Sequence, residues 1–151
     1  KNFVSPLEKF TKEKKKPILG ICLGMQLFFS RSYEMGEQEG LNYIPGEVIS
    51  MKNKSKIKDI KIPHINWNKI KIYKETNRIF PKDLINRSFY FIHSFMANIE
   101  NDKNLIAFCS YYDLKVPAVV KSENITGLQF HPEKSGKNGL KLLKNIFESL
   151  L

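Results

Sequence analysis

Pro17-Ile18-Leu19-Gly20-Ile21-Cys22 is a short apolar run that stops at a cysteine and leads into a helix-like segment from Leu23. An apolar run of this length, without polar alternation, reads as a strand buried on both faces, as in parallel sheets covered by helices. Its end has the form G-x-C-x-G, from Gly20 to Gly24. A sharp strand-to-helix turn of this kind forces its central residue into strained dihedrals and leaves that side chain projecting. Small residues two positions to either side let the strand and the helix approach closely. The helix start then faces the sulfur and favours thiolate, and the Leu23 N–H points where an oxyanion would form. The same residues also fit an ordinary glycine-flanked strand end with a buried cysteine.

The flanking pattern predicts the rest of the domain. Ser5-Pro6-Leu7-Glu8 has the composition of a capping box, with a helix expected from there to about Lys15. A second helix is expected from about Leu23 to Ser32, then a glycine-bearing loop around Gly36 and Gly40. Strands are expected at Glu47–Met51, Lys69–Tyr73, Phe89–His93, Leu105–Ser110, Ala118–Lys121 and Thr126–Phe130. Turn residues separate them, among them Asn53, Pro63, Asn77 and Pro81. A closing helix, Gly136 to Leu150, places Leu140, Leu143, Ile146, Phe147 and Leu150 on one face. The expectation is an α/β chain, with part of its mixed sheet antiparallel. Its 151 residues suit a single domain, 1–151.

A thiolate nucleophile usually works with an imidazole that takes and returns protons. The chain has three histidines, His64, His93 and His131. His131 ends the strand Leu128-Gln129-Phe130 and is followed by Pro132-Glu133. Glu133 is placed to accept from the His131 ring and hold its tautomer. A Cys22–His131–Glu133 triad can therefore be written, although His131 alone also fits a satisfied surface histidine. His64, expected in a loop after Pro63, and His93, at another strand end, rank behind it.

Charge narrows the partners. The chain carries 25 basic and 15 acidic residues, a net charge of +10, but only Arg31, Arg78 and Arg87 are arginine. Lysine is a hydrated point charge rather than a fork for phosphates and bases, and no aromatic interleaving builds a single-strand platform. Nucleic acid is not an expected partner. No apolar stretch of about 18 residues exists to span a membrane. Cys22 and Cys109 form neither a disulfide framework nor a metal site, so neither a metal nor another cofactor is expected, and free thiols suit a cytoplasmic location. Cys109 falls in an apolar strand and reads as inert packing.

Gly20-Ile21-Cys22-Leu23-Gly24-Met25-Gln26, taken with Phe130-His131-Pro132-Glu133, resembles the class I (triad) glutamine amidotransferases. Pro63-His64-Ile65-Asn66-Trp67-Asn68, Tyr90-Phe91-Ile92-His93-Ser94-Phe95 and His131-Pro132-Glu133-Lys134-Ser135 are similar to segments of one branch. That branch is the glutaminase subunits of imidazole glycerol phosphate synthase. The resemblance covers essentially the whole chain. It implies a flavodoxin-like mixed sheet flanked by helices, with Cys22 attacking the carboxamide of L-glutamine, His131 shuttling protons and Glu133 orienting it. It assigns Gln26 and Glu34 to the substrate's amino-acid end, and the backbone of Ser94 and Phe95 to its carboxylate. It assigns Trp67, Asn68, Tyr90 and Lys134 to contact with a cyclase subunit of (β/α)8 barrel type. That partner receives the ammonia and forms imidazole glycerol phosphate and AICAR in histidine biosynthesis.

Two positions depart from the family pattern: Asn66 stands where glycine is usual and Phe95 where tyrosine is. They leave open a paralogue that feeds ammonia to another acceptor, such as a surface-sugar pathway. Other triad glutaminases, a γ-glutamyl peptidase on the same fold and an inactive partner-binding fragment also compete. Only Lys1 to Lys16 precede the cysteine strand. In the family, earlier strands and a glycine-rich loop with a second oxyanion donor come before it, so the chain is expected to be the C-terminal majority of a longer domain.

Overall fold

The structure, a computed structural model, describes residues 3–73 and 79–150. The turn expected at Asn77 and the arginine at 78 lie outside the described residues. In chain order the elements are α1 (Val4–Glu8), β1 (Ile18–Ile21), α2 (Leu23–Gln26), β2 (Phe29–Ser32), β3 (Gln38–Glu39), β4 (Ile44–Ser50), α3 (Met51–Lys54), β5 (His64–Lys69) and β6 (Lys71–Ile72). Then come β7 (Ser88–His93), β8 (Phe95–Ile99), β9 (Leu105–Tyr111), β10 (Leu114–Ser122), β11 (Ile125–Leu128) and α4 (Gly136–Leu150). The mixed α/β class is as the sequence implied. Among the described residues the strands fall into three sheets, ordered β1-β11-β10-β9-β6, β3-β2-β4-β8 and β5-β7.

β1 lies at the edge of the first sheet and pairs in parallel with β11, with Gly20 opposite Gly127 and Ile21 opposite Leu128. Residues just past Ile21 and Leu128 therefore leave the sheet side by side. β10 and β9 continue it antiparallel. The main core packs Phe89, Phe91 and Phe130 together, with the Phe89 and Phe130 ring centroids 4.6 Å apart. A second cluster gathers Met25, Phe28, Phe29, Ile44 and Val48 among others, and takes Val120 of β10 while the neighbouring Val119 belongs to the main core.

Several local expectations are corrected. Ser5 does not cap: the first helix starts at Val4 with Phe3 at its N-cap and no side-chain capping bond. Residues Lys9–Glu13 continue it as a π-helical stretch, where the Thr11 hydroxyl donates to the Leu7 carbonyl at 2.8 Å. A hydroxyl bonding back one turn is a known cause of helix distortion. The second helix stops at Gln26 rather than Ser32. Phe28, Phe29 and Ile44 are all buried, and residues 29–32 instead pair with β4. Packing of Phe29 against Ile44 favours strand there over a longer helix.

The closing helix is rotated from the expected stripe. Leu142 and Ile146 are fully buried, Leu143 is half-buried, and Leu140 and Phe147 are exposed. Gly139 sets this rotation, because a Cβ there would collide with the Pro132 carbonyl. Backbone this close leaves no slack. Gly139→Ala is expected to cost about 2–3 kcal/mol of stability, read by urea unfolding, and an unchanged midpoint would show that the contact is not rigid.

Candidate active site

Cys22 follows the last residue of β1 and takes φ 51°, ψ −106°, a conformation that L residues seldom hold. Its N–H donates to the Leu128 carbonyl at 2.7 Å and its carbonyl accepts from Gln26 N at 3.1 Å, which pins the turn at both sides. Gly20 explains the close approach: a Cβ would lie 2.5 Å from the Gly24 carbonyl oxygen and 2.5 Å from the Phe28 ring. Gly24 does not share that role, since a Cβ there would meet nothing within 4 Å.

β11 delivers the histidine. His131 sits three residues past Leu128, and its N–H donates to the Tyr90 carbonyl at 2.9 Å. Its Nδ1 meets Glu133 Oε1 at 2.6 Å, as the sequence implied for an oriented imidazole. Ser135 ties this turn down, donating its hydroxyl to the His131 carbonyl at 2.6 Å and accepting from Tyr90 N at 3.0 Å. The hydrogen-bonding contacts of the Cys22 thiol with Ile92 and Gln129 do not involve the His131 ring. The thiol donates to the Ile92 carbonyl at 3.8 Å and accepts from Gln129 Nε2 at 3.8 Å.

The thiol is not pre-ionised. Burial pushes the Cys22 thiol above its ordinary value, the Leu23 N–H pulls it back, Glu34 and Glu133 push it up again, and the Gln129 amide pulls down. The net shift is upward, contrary to the thiolate expected at a helix start. A helix of four residues aligns too few peptide dipoles to offset burial. A thiol in this state needs a base to become a nucleophile.

The expected substrate residues divide into two groups. Gln26 is buried, and its Nε2 donates to the Phe95 carbonyl at 3.0 Å and to Gln129 Oε1 at 3.2 Å. Glu34 is exposed past β2, yet its charge is felt at the thiol. Ser94 connects β7 to β8, which Phe95 opens, and the Ser94 carbonyl accepts from Met51 N at 3.1 Å.

His64 is not a loop residue but opens β5, and His93 ends β7 as expected. They face each other across β5 and β7, both buried, with His64 Nδ1 and His93 Nε2 2.9 Å apart. His93 Nδ1 lies 2.8 Å from the Phe95 carbonyl. A carbonyl only accepts, so His93 Nδ1 carries the hydrogen, its Nε2 accepts, and His64 Nδ1 donates. Burial lowers His93 to about 4 and His64 to about 3, so both rings are neutral near pH 7. His64 Nε2 is left buried without a partner.

Of the expected partner-facing residues, Trp67 and Tyr90 are register partners on β5 and β7, with ring centroids 5.9 Å apart and the indole about half-exposed. Asn68 donates through Nδ2 to the Ser110 carbonyl at 3.1 Å, and Lys134 is exposed. Asn66 needs no positive φ: it lies within β5 opposite Phe91 as an ordinary strand residue. Cys109 is fully buried and its thiol is pushed up to about 12, in keeping with inert packing. Sequence alone does not single out Gln129, whose one signal is that it sits two residues before His131. No group of three or more metal-ligating side chains occurs among the described residues. No helix among them is long and apolar enough to cross a membrane.

The family described as glutamine amidotransferase class-I matches residues 2–150. Among curated relatives, the chain is 43% identical over 152 residues to "Imidazole glycerol phosphate synthase subunit HisH 1" of Legionella pneumophila, covering 97% of this chain and 71% of that protein. It is 47% identical over 135 residues to the HisH protein of Carboxydothermus hydrogenoformans, covering 89% of this chain and 64% of that protein. Among solved structures, PurLQS from Thermotoga maritima aligns with TM-score 0.64 at 21% identity, over 98% of this chain and 68% of that one. A glutamine amidotransferase from Thermotoga maritima aligns with TM-score 0.58 at 18% identity, over 97% and 52%. At such identities the structural likeness concerns the fold.

Proposed function

The chain belongs to the class I glutamine amidotransferases, and from that membership we propose that it acts as the glutaminase subunit of an imidazole glycerol phosphate synthase. Cys22 attacks the carboxamide of L-glutamine while His131 takes the thiol proton and returns it to the leaving nitrogen, releasing ammonia. Water then cleaves the thioester to glutamate. Glu133 holds the His131 ring and supports its protonated form. The Leu23 N–H stabilises the developing oxyanion, an interaction worth roughly 3–4 kcal/mol of barrier in acyl transfer. Glu34 pairs with the substrate's ammonium, and the backbone of Ser94 and Phe95 meets its carboxylate. Gln26 holds that loop through the Phe95 carbonyl.

The observation that carries this reading is the parallel pairing of β1 with β11. It supports the pair because the ends of the two strands, one leading to strained Cys22 and the other to a histidine hydrogen-bonded to Glu133, leave the sheet side by side. A neutral, desolvated thiol beside an oriented imidazole suits base-assisted attack. We assign the exposed Trp67 and Tyr90 face of β5 and β7, with Asn68 and Lys134, to a cyclase subunit of (β/α)8 barrel type that takes up the ammonia in the cytoplasm. No bound cofactor enters the chemistry.

The test is glutamate release by the chain with and without a barrel-type cyclase carrying its ligand. Release is expected to be low alone and to rise at least about tenfold with the loaded partner, a typical size of coupling between sites. Equal high rates in both assays would exclude the coupled subunit. Stimulation by a different barrel protein would reassign the ammonia acceptor and leave the glutaminase chemistry standing.

A further inference from the structure

We propose that Gln129 is a positioning residue for the Cys22 sulfur, the last member of a one-way hydrogen-bond chain that starts at the Phe95 carbonyl and ends with an N–H aimed at Sγ. It rests on Cys22 being the reacting group, as proposed above. The direction of the chain follows from its first member. The Phe95 carbonyl only accepts, so Gln26 must present Nε2 to it, at 3.0 Å. The second hydrogen of that amide goes to Gln129, at 3.2 Å, so Gln129 must present Oε1 there. Its Nε2 is then left facing Cys22 Sγ, at 3.8 Å. Flipping either amide would set donor against donor or acceptor against acceptor.

Both ends are fixed. Gln129 is fully buried, and its backbone N–H donates to the Ala118 carbonyl at 2.9 Å. The Phe95 carbonyl also accepts from the neutral His93 ring at 2.8 Å. The sulfur, partly buried and flanked by the fields of Glu34 and Glu133, thus receives one side-chain donor that does not titrate. A donor that holds no exchangeable charge favours the anion without competing with His131 for the proton. The same chain links the sulfur to the loop at Ser94 and Phe95, so a shift of that loop is felt at the thiol through two side chains.

The experiment is site-resolved alkylation of Cys22 by iodoacetamide across pH, with Cys109 as the internal reporter of folding, since it is fully buried. Gln129→Leu keeps the bulk and removes the donor. The Cys22 midpoint is expected to rise by about 0.5–1 pH unit, with alkylation at pH 7 slowed about 3–10-fold. Gln129→Glu keeps the acceptor for Gln26 but turns an acceptor to the sulfur, and its midpoint should rise further than that of Gln129→Leu. Midpoints equal to that of the unaltered chain, with Cys109 still protected, overturn the proposal. If either variant loosens the core, Cys109 reacts, and the decision passes to the unaltered chain. There the side-chain amide resonances of Gln129 should shift with the same midpoint as Cys22 alkylation, and flat resonances overturn the proposal. Alkylation needs neither glutamine nor a partner, so a chain that releases no glutamate can still give these ordered midpoints.

Discussion

Cys22→Ala is expected to abolish glutamine hydrolysis in the presence of the barrel partner, a loss of about 10⁴-fold or more, while partner binding is unchanged. Removing a nucleophile that acts as a unit with its base leaves only what binding and oxyanion stabilisation supply. The residues assigned above to the partner lie on β5, β7 and the turn after β11, not on the turn that holds Cys22, so docking has no reason to weaken. Glutamate release and co-elution with the cyclase, measured on one preparation, read the two effects separately. Glutamate release that survives in the variant would show that another group attacks. A stability measurement adds a sign test. At φ 51° alanine carries the same backbone strain as cysteine, whereas glycine does not. Cys22→Gly should therefore be more stable than Cys22→Ala by about 1 kcal/mol, which would locate the strain in the residue assigned to attack.

Lowering the pH from 7 to 5 is expected to cost the fold about 2–4 kcal/mol. The cause is the buried His64–His93 pair. Burial lowers His93 to about 4 and His64 to about 3, from an ordinary 6.5. Unfolded, both rings take up protons near pH 6.5; folded, neither does until far lower. The stabilisation is thus complete above about pH 6.5 and is lost as the pH falls toward 4 and 3. Asp83 and Asp113, held low by Lys141 and by Ser55, add their own losses only in more acidic solution. Urea unfolding at pH 7 and pH 5 measures the difference directly. His64→Asn keeps a donor for His93 and removes one titrating ring, so the pH dependence should fall by roughly half. Equal stability at the two pH values in the unaltered chain would refute the assignment. A loss of 2–4 kcal/mol is a large share of the stability of a small domain, so it should show as a marked acid sensitivity.

The legibility of the chain followed the reach of its interactions. The turn at Cys22, the imidazole–carboxylate pair at His131 and Glu133, and the parallel character of β1 could be read from adjacent residues, because local backbone demands fix them. The end of α2 could not. Phe28 and Phe29 suit a helix by periodicity, and only Ile44 and Val48, which come well after them, show that the segment lies in a sheet. The burial of His64 depends on its register with His93, again a distant pairing. Gln129 escaped notice because its importance lies in which way its amide points, and that is decided at Phe95 by way of Gln26. The face of α4 differs from the expected stripe because Leu142, outside that stripe, turns inward beside Ile146, with a glycine held against the Pro132 carbonyl.

The two glycines that flank Cys22 look equivalent in the sequence but are not equivalent in the molecule. Gly20 is demanded by the chain itself, since any side chain there strikes the helix it faces. Gly24 lies within a helical turn, where glycine is less favourable than alanine by about 1 kcal/mol, and no described neighbour occupies the space its Cβ would take. Internal packing therefore gives no return for the bare backbone at Gly24. One glycine of the pair is held by the frame, and the other is not: an alanine at Gly24 would meet nothing among the described residues.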